Sequence, residues 1–501
     1  MNTLKNQSWR TYSLIFMSFL VFSGNKLQSQ TIWGSNLASK VELWLKADSG
    51  VITKSGNVIA SWNDYSGYGR QFINRNDNIP TYNQTSNLMN FNPSINFNGS
   101  LAGKLISVNS GKYFLDTSNY FIVIYVSGQA AFSNTFQSVF SFTSGQDSAF
   151  GVGDDCGWYN GQPAFRSGAA KNPEGQNTPG NSYLGQNYKL YGITAVLVSN
   201  TTDKTKPSRV YKNGESPAVY TTVPLLSPGS SVVNPVHVIG SSGAGAGTAN
   251  QFRGDIQEII ILSLPWTDSF RLSDFRKIHS YLSIKYGISL DNSVVGDGNF
   301  YYAANGDSNN GTVVWSQTDN TGYNSYIFGI GRDSISGLYQ KQSKNTDEKA
   351  YSPTVYVGTL ETLNSQNKGT LENMQYLMLG ATGAYDPVFP KPFTGAGTGT
   401  FENGSIDHSK FNIQSPVYKA QLTGPSTITV KFKPPVDNFT RILVSKDPNF
   451  PEGSNGTRIY DLTSGVTLGN GYIYIKFIGY KLRKTKRYVI SNRSVTSIIK
   501  K

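Results

Sequence analysis

The fold is decided by residues 121–126, which read Phe-Ile-Val-Ile-Tyr-Val and are apolar at every position. Successive side chains of a β-strand point to opposite faces, so a strand with this sequence needs cover on both sides. We therefore expect it to lie deep in a β-sandwich. Elsewhere apolar and polar residues alternate, as at Ile428, Val430 and Phe432, which predict a strand with one buried and one wet face.

The composition extends this prediction to most of the chain. The 501 residues include 51 glycines and 30 tyrosines, and only 15% are charged, which favours an all-β fold rich in turns. Asn213 and Gly214 follow a predicted strand and favour a tight hairpin, because glycine tolerates a positive φ. Residues 268–285 are the exception, since their apolar side chains recur at helical spacing and predict one short amphipathic helix that ends at Gly287.

The length indicates two or three domains, because a single β-sandwich can itself run to about 250 residues. A polar stretch rich in Gly and Asn, residues 291–311, is the predicted linker. It separates a first sandwich over residues 31–290 from a second, sandwich-like β domain over residues 312–492, which is followed by a basic end, residues 493–501. Cys156 is the only cysteine, so no disulfide can form within the chain.

Residues 1–30 have the layout of a secretory signal peptide. Lys5 and Arg10 precede an apolar run over residues 12–22, and small and polar residues at 27–30 offer a cleavage site. The alternative is an uncleaved N-terminal anchor, because a retained apolar run tethers a chain to the membrane. The run is shorter than the ~20 residues that a spanning helix needs. We expect an exported protein, extracellular or on the cell surface, whose mature chain has no transmembrane segment.

The net charge of +13 lies at the two ends of the chain. Residues 31–475 carry 32 basic and 31 acidic residues, whereas residues 476–501 carry nine basic residues and no acidic one. A protein that binds nucleic acid shows a basic face within its fold. We therefore expect no nucleic-acid partner, and we interpret the basic end as solvated charge.

Residues for catalysis are hard to assemble from this sequence, and we predict no catalytic residue. The three histidines, His237, His279 and His408, are far apart, which disfavours a histidine-based triad or a site of several histidines. Glycoside hydrolysis needs two carboxylates that face one cleft. Asp255 and Glu258 are three residues apart on a predicted strand, which places them on opposite faces.

The most informative polar segment is the predicted loop over residues 151–161. Asp154 and Asp155 offer oxygen ligands for Ca²⁺, while Trp158 and Tyr159 offer rings that stack on a sugar, with Asn160 beside them. The alternative is a surface turn with a buried tryptophan, because Gly and Asp favour turns. A second candidate ligand for Ca²⁺, the only cofactor that the sequence suggests, is Asp64 in another loop.

Several motifs in the first domain carry a resemblance to a known family. In chain order they are Glu-Leu-Trp-Leu-Lys-Ala-Asp at 42–48, Ser-Trp-Asn-Asp-Tyr-Ser-Gly at 61–67, Ile-Asn-Phe-Asn-Gly at 95–99, Val-Tyr-Lys-Asn-Gly at 210–214, Phe-Arg-Gly-Asp-Ile-Gln-Glu-Ile-Ile at 252–260 and Tyr-Leu-Ser-Ile-Lys-Tyr-Gly-Ile at 281–288. Together they resemble LamG-like jelly rolls of the concanavalin A-like lectin and glucanase superfamily, in the version found on bacterial surface proteins. The resemblance implies a jelly-roll sandwich that recognises glycan or protein.

The second domain resembles an uncharacterised β domain that follows such jelly rolls in exported bacterial proteins. The motifs are Val-Trp at 314–315, Ile-Phe-Gly-Ile-Gly-Arg-Asp at 327–333, Tyr-Gln-Lys-Gln-Ser-Lys at 339–344 and Leu-Gly-Ala-Thr-Gly at 379–383. Relatives carry an acid-rich loop after the strand that corresponds to residues 441–444. Here that loop has a single carboxylate, Asp447, which disfavours an ion site.

These observations predict an exported binding or adhesion protein that recognises glycan or an extracellular protein through its jelly-roll domain. Two alternatives stay open: a structural component of the cell surface without a small ligand, and a glycoside hydrolase that cleaves polysaccharide. Fold alone does not choose between them.

Overall fold

The computed structural model describes most of the chain between residues 40 and 480. The described residues are 40–75, 79–85, 88–100, 103–108, 119–129, 136–145, 155–159, 162–166, 190–199, 208–214, 218–220, 235–242, 250–265, 272–290, 300–304, 311–347, 352–383, 391–392, 397–413, 416–435, 439–453 and 456–480.

The described residues of the first half of the chain lie mostly in strands. They are β1 (Val41–Lys46), β2 (Val51–Thr53), β3 (Ile59–Asn63), β4 (Gln71–Ile73), β5 (Thr81–Asn83), β6 (Ser94–Asn98), β7 (Leu105–Ser107), β8 (Asn119–Gln129), β9 (Gln137–Gly145), β10 (Asp155–Tyr159), β11 (Gln162–Arg166), β12 (Leu190–Ser199), β13 (Ser208–Lys212), β14 (Ala218–Tyr220), β15 (Pro235–Ile239) and β16 (Arg253–Pro265). A short 3-10 helix, Ser55–Asn57, lies between β2 and β3.

These strands form a sandwich of two antiparallel sheets. One has the order β14-β13-β12-β8-β16-β6-β5, with β1 also paired to β16, and the other has the order β11-β10-β9-β15-β7-β4-β3-β2. Side chains from both sheets meet in one core, in which Trp62, Phe72, Phe97, Tyr125 and Phe140 are buried. The predicted hairpin is present, because Asn213 and Gly214 both adopt positive φ between the paired strands β13 and β14.

The central strand β8 is covered on both faces, as its sequence predicts. Val123 and Tyr125 belong to the core between the two sheets. Ile122, Ile124 and Val126 belong to a second core on the outer face of the same sheet. Fully burying a side chain of this size stabilises a fold by about 1.5–3 kcal/mol, so both faces of this strand contribute.

The second half of the chain contains the remaining strands. They are β17 (Phe300–Ala303), β18 (Thr312–Ser316), β19 (Ser325–Asp333), β20 (Leu338–Gln340), β21 (Gln342–Ser343), β22 (Thr354–Tyr356), β23 (Tyr376–Ala381), β24 (Lys391–Pro392), β25 (Thr398–Phe401), β26 (Gly404–Asp407), β27 (Phe411–Ile413), β28 (Tyr418–Thr423), β29 (Thr427–Lys433), β30 (Phe439–Ser445), β31 (Thr457–Asp461), β32 (Val466–Gly469) and β33 (Tyr474–Tyr480).

A nine-stranded sheet, with β20-β19-β23-β28-β33-β27-β24 as its main path, packs on a four-stranded sheet of order β21-β22-β29-β32. Between them Ile428, Val430 and Phe432 are buried, while the alternate residues of β29 face outward. This is the alternation that the sequence predicts. The all-β prediction is confirmed: the chain folds into antiparallel sheets consistent with β-sandwich domains, and the described residues contain one α-helix.

The helix α1 spans Leu272–Tyr286 and ends at Gly287, whose φ is +65°. Phe275, Ile278 and Leu282 pack on the outer face of the sheet that contains β8. The prediction of an amphipathic helix needs a correction, because every residue from 275 to 286 is buried, including His279. The second sandwich covers the side of the helix that would otherwise face water.

The two sandwiches therefore share one continuous core through α1. It joins Ile124 and Ile260 of the first sandwich to Trp315, Ile327 and Met378 of the second half. The bounds of the two domains and of the linker stay a prediction.

Polar contacts reinforce this junction. Asn90 donates to the carbonyls of Ile284 and Lys285 at the end of α1, at 3.2 and 3.1 Å, and its own carbonyl accepts from Gln340 of β20 at 3.0 Å. The Asn92 side chain donates to the Lys285 carbonyl at 2.7 Å. These bonds satisfy helix carbonyls that would otherwise be buried without partners.

Candidate functional site

The candidate site includes the loop that follows β3, and hydrogen bonds to the Asp64 carboxylate fix the position of this loop. One carboxylate oxygen accepts from the Trp44 and Ser66 backbone amides at 2.9 and 2.8 Å, and the other accepts from the Ser66 hydroxyl at 2.5 Å. The carboxylate thus fixes the loop to strand β1 of the other sheet. That Asp64 binds Ca²⁺ stays a prediction, and an ion there would compete with these three donors.

The loop displays two tyrosines to solvent. Tyr65 is 43% exposed and Tyr68 is 57% exposed, which is high for aromatic residues. The Lys46 ammonium lies 4.9 Å from the centroid of the Tyr65 ring, and the Arg70 guanidinium lies 4.6 Å from the centroid of the Tyr68 ring. We call Tyr65, Tyr68, Lys46 and the neighbouring Asp48 the tyrosine surface. From the sequence alone, these tyrosines were not singled out as binding residues. Their position in a run of turn residues was the one indication that they would be exposed.

Behind the tyrosine surface lies a buried carboxylate, Glu258, which is 0% exposed. One oxygen accepts from the Trp44 indole at 2.5 Å and the Tyr281 hydroxyl at 3.0 Å. The other accepts from the Lys285 ammonium at 2.8 Å and the Tyr286 hydroxyl at 2.7 Å. The cluster ties β16 and β1 to the last turns of α1.

Lys285 extends this cluster towards solvent, because its ammonium also pairs with Asp48 at 3.0 Å. Burial alone would lower the pKa of Lys285, but the Asp48 and Glu258 carboxylates outweigh it and raise that pKa. Desolvation opposes the ionised form of Asp48, yet Lys285 and Lys46 hold its pKa below the ordinary value. Burial raises the pKa of Tyr281 and Tyr286 well above normal, and the adjacent Glu258 adds to the effect. Lys285 and Asp48 are therefore a charged pair, and both tyrosines are neutral donors.

The prediction that Asp255 and Glu258 lie on opposite faces of β16 is wrong. The register of β16 with β8 shifts between Ile256 and Glu258, which marks a β-bulge. Ile256 and Ile259 therefore both point into the sandwich core, and the two carboxylates both point to the outer face. Both are buried there, and Asp255 accepts from the Asn96 amide at 2.8 Å.

The segment predicted as a loop over residues 151–161 contains strand β10, which pairs with β11 directly after the segment. Asp155 is buried and accepts from the Ser138 hydroxyl at 3.2 Å. Trp158 is fully buried in the sandwich core, and its indole donates to the Ser127 hydroxyl at 2.8 Å, so stacking on a sugar would require this ring to leave the core. Asp154, Asn160 and the Tyr159 side chain lie outside the described residues. The ligand and Ca²⁺ roles given to this segment stay predictions.

The histidines occupy three separate environments. His237 stacks on Phe140 at 5.9 Å, and His408 lies 3.1 Å from the Glu452 carboxylate. The Nδ1 of His279 donates to the Phe275 carbonyl at 2.9 Å, and burial lowers the pKa of His279 to about 4. Within the described part of the chain, no three His, Cys, Asp or Glu side chains come together as a metal site.

Residues 274–477 match the model of a family described as a domain of unknown function, DUF8202. The match begins inside α1, so the family includes most of the helix that joins the two sandwiches. No curated protein matches the chain.

Some solved structures are similar at low identity. A crystallised receptor binding domain is 11% identical with a TM-score of 0.34, over 90% of this chain and 100% of that one. The botulinum neurotoxin serotype G binding domain is 10% identical with a TM-score of 0.31, over 88% of this chain and 92% of that one. Trypanosoma rangeli sialidase is 12% identical with a TM-score of 0.29, over 46% of this chain, which spans about a third (32%) of the sialidase. Similarities at this level establish neither the fold nor the function of the chain.

Among the helical residues that the structure describes, none forms a helix with the length and apolar character needed to cross a membrane.

Proposed function

We propose that this chain is an exported recognition protein that binds glycan outside the cell through the tyrosine surface of its first sandwich. The observation that carries the proposal is the exposure of Tyr65 and Tyr68 on a loop that Asp64 fixes to β1. Aromatic rings on a fixed backbone provide the stacking surface that sugar rings use, and they lose little conformational entropy on binding.

The sequence supports the same proposal. The motifs of the first domain resemble LamG-like jelly rolls, and the tyrosine loop is one of those motifs. The N-terminal 30 residues resemble a secretory signal peptide, which supports a destination outside the cytoplasm. We further propose the domain bounds 31–290 and 312–492, joined through the helix and the 291–311 linker.

The test is a glycan array followed by calorimetry on the full chain. The full chain is used because the two sandwiches share a core through α1. We expect a saccharide ligand whose affinity falls about fivefold or more in Tyr65→Ala and Tyr68→Ala, since stacking on an aromatic ring contributes about 1–3 kcal/mol. Tyr480→Ala is the matched control, because Tyr480 is also exposed (53%) but lies on β33 of the second sandwich.

Two further arms sharpen the result. Repeating the titration with EDTA and then with Ca²⁺ tests the ion predictions for Asp64, Asp154 and Asp155. Silent arrays together with retention of the protein in washed cell envelopes would favour a structural surface component instead. Equal loss of affinity in Tyr480→Ala would mean that the ligand does not bind at the tyrosine surface.

A further inference from the structure

Lys46 is the unusual member of the tyrosine surface. It is only 8% exposed, and its ammonium lies between two rings, 4.6 Å from the centroid of Trp44 and 4.9 Å from that of Tyr65. Among the described residues it finds no hydrogen-bond acceptor and no ion-pair partner. Burial is the main reason that its pKa is lowered.

Although the Lys46 side chain is mostly buried, its ammonium is not one of the fully buried polar atoms that lack a hydrogen-bond partner, so the ammonium keeps contact with solvent. The other lysine of the cluster shows the contrast. Lys285 is 4% exposed, and its ammonium contacts both Asp48 and Glu258. The three donors of Lys46 are thus available to an oxygen that arrives from solvent beside Tyr65, whose ring is partly open.

The charges around Lys46 indicate which kind of oxygen fits. Lys46 and Lys285 balance Asp48 and Glu258, so the cluster is neutral before a ligand binds. An anionic ligand would add a third negative charge to two ammonium groups, whereas a hydroxyl oxygen would leave the balance unchanged. Asp48, whose side chain is 26% exposed, offers an acceptor for a second hydroxyl.

We propose that the ligand of the tyrosine surface is a neutral saccharide, one hydroxyl oxygen of which accepts a hydrogen bond from the Lys46 ammonium. This inference rests on the proposed function and adds the chemical class of the ligand. A sugar supplies both parts that the surface needs, since its C–H face suits the Tyr65 ring and its hydroxyls suit Lys46 and Asp48.

The experiment compares neutral and acidic oligosaccharides on the full chain by calorimetry. The neutral probes are laminarihexaose, mannohexaose and xylohexaose, and the acidic probe is hexagalacturonate. We expect at least one neutral probe to bind at least about tenfold more tightly than hexagalacturonate. Lys46→Met should weaken that binding by about tenfold or more, as expected for a hydrogen bond to a charged group.

Lys431→Met is the matched control, because Lys431 is exposed on β29 and its loss changes the net charge equally. It should leave the affinity within about twofold, and thermal unfolding of each variant verifies that it is folded. Tighter binding of hexagalacturonate, or unchanged affinity in Lys46→Met, would overturn the inference while leaving glycan recognition standing. Failure of every saccharide on the array would overturn the proposed function itself. If Lys46→Met does not fold, the wild-type chain alone tests the inference. Tighter binding of a neutral probe supports the inference, and tighter binding of hexagalacturonate overturns it.

Discussion

Acidification from pH 7 to pH 5 should destabilise this protein through one residue, His279 of α1. Its imidazole is 1% exposed, and its ring lies 3.9 Å from that of Phe275. Because Nδ1 donates to the Phe275 carbonyl, the neutral ring presents Nε2 as an acceptor, and Nε2 has no partner among the described residues. Protonation would place a charged, unpaired N–H in the core, and this burial lowers the pKa of His279 to about 4.

The size and the sign follow from the difference between the folded and unfolded chains. The pKa is about 4 in the folded protein and 6.5 in the unfolded chain. A lowered histidine pKa means that the unfolded chain binds the proton first, so the full stability is present above pH 6.5 and declines as the pH falls towards 4. At about 1.36 kcal/mol per pKa unit, the part of the shift crossed between pH 7 and pH 5 corresponds to about 2 kcal/mol.

The assay is urea unfolding of the wild-type chain and of His279→Leu at both pH values. Leucine keeps the site apolar and removes the titration, while the acidic residues of the rest of the chain contribute equally to both proteins. The free energy of unfolding should fall by about 2 kcal/mol more in the wild type than in the variant. An equal pH dependence of the two proteins would refute this account of His279.

Two further predictions concern charged groups in each half of the chain. Lys285→Met removes the ammonium that two carboxylates share, and it should lower the free energy of unfolding in urea by about 3–5 kcal/mol. The control, Lys431→Met, should change this free energy by less than about 0.5 kcal/mol. Equal effects of the two substitutions would contradict the pairing of Lys285. Hydrogen bonds, first of all from Tyr472, lower the pKa of Glu402 from 4.5 to about 2, so its contribution is present above pH 4.5 and is lost as the pH falls to 2. The thermal unfolding midpoint of Glu402→Gln should therefore fall less than that of the wild type between pH 4.5 and pH 2. If the midpoints of the two proteins fall equally with pH, Glu402 makes no such contribution.

The sequence was sufficient to predict local strands and the helix, but not the segments that pack against them. Alternation and apolar runs predicted β8 and β29, and helical spacing predicted α1, because these patterns depend on neighbours in the chain. The helix was expected to have a wet face. Lys277 and Ser280 are nevertheless buried, since the second sandwich packs on that face, and a contact between distant segments leaves no periodic signal.

The same limit explains the candidate site. Side chains of a regular strand alternate between its two faces, so the sequence predicted Asp255 and Glu258 on opposite faces. A β-bulge between them places both on the same face, and this bulge has no signature in the residues themselves. The sequence indicates Asp64 as a candidate Ca²⁺ ligand in a loop, but the hydrogen bonds that its carboxylate accepts from the Trp44 and Ser66 amides depend on how β1 and the loop meet. The burial of Trp158 likewise depends on the facing sheet.

Burial of the outer sheet face has a consequence for recognition. The face that carries Ile124 and Ile260 is covered by α1, so a ligand cannot spread across it without displacing the helix. The aromatic rings of the tyrosine surface are instead carried on a loop at the margin of that face, where Lys46 and Asp48 emerge from the covered cluster. Because Lys285 bonds both to Asp48 and to buried Glu258, the same contacts that fasten the helix also set the position of Asp48 in the proposed binding surface. The junction of the two sandwiches and the proposed binding surface are thus parts of one polar cluster.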